Sequence, residues 1–145
     1  VEEGVTEPEN AHASAARSDW TVSLDQLTES CRSLEAASLV VAWFGTDLRC
    51  GACEVKPGVE RAVKQTEPEA WVVGGIGRGA AHVVSESGGG PAFGGTPSDA
   101  SVIRALQDLK ARGLKAVFYP FVMMDIPPGN AKPDPYGGAE QAAYP

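Results

Sequence analysis

The sequence predicts an α/β protein in which parallel strands alternate with helices, and two observations carry that prediction. Three apolar runs of strand length, "LVVAWF" (39–44), "AWVV" (70–73) and "LKAVFY" (114–119), are continuous rather than alternating, as strands buried on both faces are. Helical patterns stand before and between them. The order is helix, strand, short helix, strand, long loop, helix, strand, and parallel strands in that order need right-handed crossovers. Three strands alone make an open sheet with two bare edges, whereas a (β/α) barrel takes eight strands and roughly 250 residues. The 145 residues therefore read as the first part of a (β/α)8 TIM barrel, about three strands, incomplete in this chain.

Residues 1–18 are polar and alanine-rich, contain Pro8 and show no periodicity. They read as a linker or lead-in segment, and the barrel-like domain is expected over 19–145. Ser23 and Gln26 have capping-box spacing. Leu24, Leu27, Cys31 and Leu34 then fall on one face of a short amphipathic helix. The first strand follows at 37–44, and a polar loop, "GTDLRCGACEVKPG" (45–58), leads to a weak helix expected near 59–65. "AWVVGG" (70–75) is the second strand. The glycine-rich stretch through Gly88, Gly89, Gly90, Gly94 and Gly95 predicts a long loop.

The strongest helix is expected next, with Thr96 as N-cap, Pro97 in the first position and Asp99 as the capping-box acid. Val102, Ile103, Leu106 and Leu109 form its apolar stripe. Arg104–Asp108 and Asp108–Arg112 are i,i+4 pairs on the other side, and Gly113 is the stop. The third strand covers 114–119. Pro120 is expected to weaken its pairing, because proline brings no N–H to a ladder. From Asp125 onward the composition is that of a loop.

Hydrophobic residues make up 43% and charged residues 21%, and mean hydropathy is -0.14, values of a soluble globular chain. No run approaches the ~18 apolar residues of a membrane helix, so no membrane insertion is expected. The net charge is -7, and Lys and Arg are scattered singly, without the basic stripe of a nucleic-acid binder. Cys31, Cys50 and Cys53 cannot all pair within the chain, and "VEEGVTEPEN" has no signal-peptide character. Reduced thiols in a cytoplasmic compartment are therefore expected. The opening Val suggests a processed, excised or partial sequence.

Three constellations invite a chemical reading. "CGAC" (50–53) has the spacing of a disulfide-exchange motif, but Pro57 and Gly58 separate it from any helix dipole that would favour a thiolate. Cys31, His12 and His82 have no useful spacing for zinc. The motif reads foremost as a loop staple or two small loop residues, and no metal or cofactor is expected. "GGIGRGA" (74–80) sets Gly75, Gly77 and Ala80 in a dinucleotide-like pattern. The sequence after it is too short and glycine-terminated for the helix that such a site needs, so it reads as a turn.

The third group lies at strand C-terminal ends, the face where barrel proteins bind substrates. Trp43, Asp47 and Arg49 follow the first strand, and Tyr119, Phe121 and Asp125 lie near the end of the third. Aromatic rings beside carboxylates and an arginine suit a sugar site. Equally, the rings suit a packed core, and Asp47–Arg49 suits a loop ion pair.

"DWTVSLDQL" (19–27), "SLVVAWFGTDLRCGACEV" (38–55), "GGTPSDASVIRALQDLKARGLKAVFYPFVMMDIPPGN" (94–130) and "PDPYGG" (133–138) together resemble one family. It is the host-specificity, or baseplate megatron, protein of gene transfer agents and related phage tails. The matching part is similar to its glycoside-hydrolase-like TIM-barrel domain, and "PEN" with His12 looks like the family's lead-in. The resemblance covers most of 19–145, less distinctly at 76–93.

It implies a fragment of a large bacterial tail-tip protein, assembled in the cytoplasm and then resident in a phage-like particle. Its partners would be other tail or baseplate proteins and a cell-surface polysaccharide. The implied function is acting on or binding envelope glycan during host recognition or entry; the alternative is a non-catalytic structural or receptor-binding module. Glycosidases need two carboxyls about the scissile bond. In barrels of this type these come from strands four and seven, beyond this sequence. No catalytic pair is carried over. Trp43, Asp47, Arg49, Tyr119 and Asp125 are candidates for lining the cleft, and the chain alone is expected to be inactive.

Overall fold

A computed structural model describes residues 8–144. The chain divides into two compact units, Val1–Ala36 and Ala37–Pro145.

In the first unit, helix α1 spans Asp19–Ser30. Its N-cap is Ser18, whose Oγ accepts the Thr21 amide. The helix thus starts ahead of the expected Ser23 cap, which lies inside it. Asp19 favours that start, because a carboxylate in the first turn is stabilised by the free amides there. Asp19 is itself held by the lead-in: its Oδ1 accepts the His12 amide at 2.8 Å, and its Oδ2 lies 2.7 Å from His12 Nδ1. Of the expected apolar face, Leu24 is buried, whereas Leu27 and Cys31 are exposed.

The second unit is built on a three-stranded sheet. Strand β1 (Ala36–Gly45) is central, β2 (Val55–Lys56) pairs antiparallel on one side, and a strand at Lys115–Met124 lies on the other. The Asp125 amide donates to Gly45 O at 3.0 Å, just past the ends of both long strands. Two neighbouring strands whose C-terminal ends meet in this way run in the same direction. "LVVAWF" and "LKAVFY" therefore lie side by side, as expected.

"AWVV" does not join them. β3 (Gly58–Val59) is followed by β4 (Val72–Val73), which turns back on β5 (Ile76–Gly77) as an antiparallel hairpin. Gly74 and Gly75 both have positive φ, 55° and 82°, the requirement of the two-residue turn that matches strand twist. The next segment, expected as loop, carries a 3-10 turn (Arg78–Ala80) and β6 (His82–Val83), which pairs parallel with β3. A second hairpin follows, β7 (Glu86–Ser87) with β8 (Gly90–Pro91), turned by Gly88 and Gly89 in the same left-handed conformation. The weak helix near 59–65 does not form. Val59 is buried in β3, but Val63 is almost fully exposed, so no apolar face holds a short helical segment together.

Helix α2 spans Asp99–Ala111, capped by Ser98, whose Oγ accepts the Ser101 amide, and it packs against the last strand, β9 (Lys115–Met124). Leu109 and Leu114 are buried there, and Gly113 takes φ 77° at the helix stop. Ile103, expected in the apolar stripe, is about half exposed, and Arg104 reaches Glu69. Strand β9 continues through Pro120 to Met124. It pairs on one side only, the position in a sheet where a proline is tolerated.

The expected N-cap, Thr96, has a different place. Its hydroxyl donates to Ala42 O at 2.7 Å and accepts the Gly58 amide at 2.8 Å, while its carbonyl accepts Trp71 Nε1 at 2.7 Å. Three segments distant in sequence are fastened through one buried residue, two by its hydroxyl and one by its carbonyl. Gly58 beside it is required by space: a Cβ there would lie 2.3 Å from the Phe44 ring.

Candidate functional site

The pleat of β1 sorts its residues onto two faces. Trp43, on one face, packs against the buried cluster of Val59, Trp71 and Val73. It also lines an apolar groove of about 370 Å³ with Val41, Phe118 and residues of α2. Phe44, on the other face, is fully buried, with its ring against His82 (centroids 5.9 Å apart, 27° between planes) and Phe93.

Where β1 and β9 end together, two buried carboxylates are held, each in a different way. Asp47 is saturated. Its Oδ1 accepts the Arg49 amide (2.8 Å), Arg49 Nε (3.0 Å) and Gln141 Nε2 (2.7 Å), and its Oδ2 accepts Arg49 Nη2 (2.8 Å). The Arg49 guanidinium, aided by the Gln141 amide, holds this carboxyl far below the usual carboxylate range, against the opposing effect of burial. Gln141 is buried too, and its Oε1 accepts the Leu48 amide at 2.9 Å. The segment 130–141 thus clamps the loop after β1; Lys132 Nζ adds a bond to Thr46 O.

Asp125 is fully buried and less committed. Its Oδ2 lies 2.5 Å from His82 Nε2 and accepts the Ser85 amide at 2.9 Å, while Oδ1 has no hydrogen-bond partner. The His82 side chain retains 18% exposure, so the imidazole stands between the buried carboxylate and the solvent. A carboxylate that fixes an imidazole in this way sets its tautomer and orientation.

Of the residues selected from sequence, Asp47 and Arg49 form the loop ion pair, and Asp125 lies at the shared strand end. Trp43 is directed into the core cluster and the groove. Tyr119 is six residues before Asp125 on an extended strand, about 20 Å away at ~3.3 Å per residue. It is half exposed beside Phe121, their ring centroids 6.2 Å apart. The five do not form one cleft. His82 and Gln141 were not selected, and no local pattern marks them: each meets its carboxylate across a long stretch of chain.

Comparison with known proteins finds no matching family model and no matching curated protein. Among the described residues, no helix is long and apolar enough to cross a membrane.

Proposed function

We propose that this chain is the opening part of a glycoside-hydrolase-like barrel in a phage-like tail or baseplate protein that engages cell-envelope glycan. The observation that carries the reading is the Asp125–His82 pair at the common C-terminal end of β1 and β9, the end at which barrel proteins bind. The long apolar edge strand β9 is also what an interior strand of a larger sheet provides, with the next strand adding beside it.

A binding role is favoured over turnover by the chain's own residues. Glycoside hydrolysis uses two carboxyls. Asp47 has its oxygens occupied by Arg49 and Gln141, so that of these two buried carboxylates Asp125 is the one with an uncommitted oxygen. In the complete protein, the carboxyls of later strands would supply the bond-breaking chemistry, and Asp125 with His82 would orient a sugar hydroxyl.

The test is incubation of the full-length protein with host envelope glycan, following both retention of the glycan and release of reducing ends. The reading expects retention, lowered by His82→Ala. Retention with release marks a glycosidase, and retention alone marks a receptor-binding module. A correctly folded protein that neither retains nor cleaves glycan contradicts the proposal.

A further inference from the structure

We propose that Cys50, Cys53 and Met124 form a binding site for one soft monovalent cation, of the class of Cu(I) or Ag(I). The loop after β1 closes into a single helical turn, because the amides of Ala52 and Cys53 both donate to Arg49 O at 2.9 Å. Residues three apart on such a turn are neighbours on its surface. Cys50 and Cys53 therefore stand on one side of it, and the turn is fixed at its start by the Arg49–Asp47 ion pair.

The third donor comes from β9. Gly45 has no side chain, and the space over it is filled by Met124 Sδ and Cys53 Sγ, 2.8 and 3.2 Å from where a Cβ would stand. The two sulfurs are thus at most about 6 Å apart. Cys53 Sγ makes only a long contact, 3.7 Å, with Glu54 O, and all three cysteines are free thiols. Cys50 is exposed, so the site opens to solvent.

The donor set decides the ligand. Thiolate and thioether sulfur select soft cations such as Cu(I), whereas zinc sites use four ligands drawn from thiolate, imidazole and carboxylate. Among the described residues, no group of three His, Cys, Asp or Glu side chains gathers anywhere, so two cysteines here have no third partner of that kind. Met124 completes a three-sulfur set of a different character. On binding, the two thiols release their protons to solvent and the cation keeps its oxidation state.

The site is tested on the reduced chain under anaerobic conditions, by titrating Cu(I) or Ag(I) against a chromophoric competitor with the methionine methyl groups labelled for NMR. One equivalent should bind, with a near-ultraviolet thiolate-to-metal band for Cu(I) and a shift of the Met124 methyl but not the Met123 methyl. Cys50→Ser should abolish the band. Met124→Leu, a conservative change in volume, should weaken binding by at least about tenfold, the low end of what losing even an outer partner costs a metal site. An unmoved Met124 methyl at saturation overturns the proposal, as does a cation shared between two chains, or zinc outcompeting Cu(I). The methyl shift is read on the unsubstituted chain and does not depend on the folding of either variant.

Discussion

Asp47 and Thr96 show how single buried polar groups hold this molecule together. Asp47 has a depressed pKa in the folded chain, held down by Arg49 and then Gln141. Such a group contributes stability that is fully present above the ordinary aspartate pKa of about 3.9 and is lost as pH falls below it toward the folded value. Urea unfolding between neutral pH and pH 3 should show that loss, and Asp47→Asn should lower stability at neutral pH while flattening the acid dependence. An unchanged acid profile in the variant would place the loss elsewhere. Thr96→Val keeps the shape and removes the hydroxyl, which leaves Ala42 C=O and the Gly58 N–H without that partner. At roughly 1–3 kcal/mol for each buried group left unpaired, a loss of about 2–6 kcal/mol is expected in equilibrium unfolding.

The elements divide into those that local sequence chemistry dictates and those that depend on distant partners. β1, α2 and β9 were legible because each is a long apolar or amphipathic run that needs no information beyond its own residues. Within the segment 70–91 the turn at 74–80 is as expected, whereas the short paired strands around it are not. "VVGGIG" and "ESGGGP" contain glycine pairs that specify tight hairpins, a signal available in the sequence but outweighed by the apolar run before the first of them. Gly74→Val should therefore destabilise the β4–β5 hairpin by about 1 kcal/mol more than Gly74→Asn, since β-branched residues tolerate positive φ far less well than Asn. Equal losses in thermal unfolding would mean that the turn is not what fixes this hairpin. The site was legible only in part. Asp47–Arg49 is a local pair, but His82 reaches Asp125 across 43 positions and Gln141 reaches Asp47 across 94, contacts that no spacing rule encodes.

Across the molecule, the prominent feature is how much of β9 remains uncovered. Val117, Phe118, Tyr119 and Val122 are each about half exposed, on a ten-residue strand paired along one edge. Long apolar edge strands invite pairing with another strand. The isolated chain should accordingly associate as its concentration rises in sedimentation experiments, and Val117→Lys should suppress that association, since a charge on an edge opposes further pairing. A wild-type chain that stays monomeric throughout would show that β9 is not adhesive. On the proposed barrel reading the same edge receives the next strand, so neighbouring segments of the full protein should abolish the association.

The meeting of β1 and β9 at their C-terminal ends underlies both the glycan proposal and the sulfur site, and it can be observed directly by NMR on the labelled chain. A through-hydrogen-bond coupling from the Asp125 amide to the Gly45 carbonyl, together with ring contacts between Phe44 and His82, is the result this arrangement requires. Cross-strand contacts that pair the start of one strand with the end of the other, or an Asp125 amide bonded elsewhere, would contradict it.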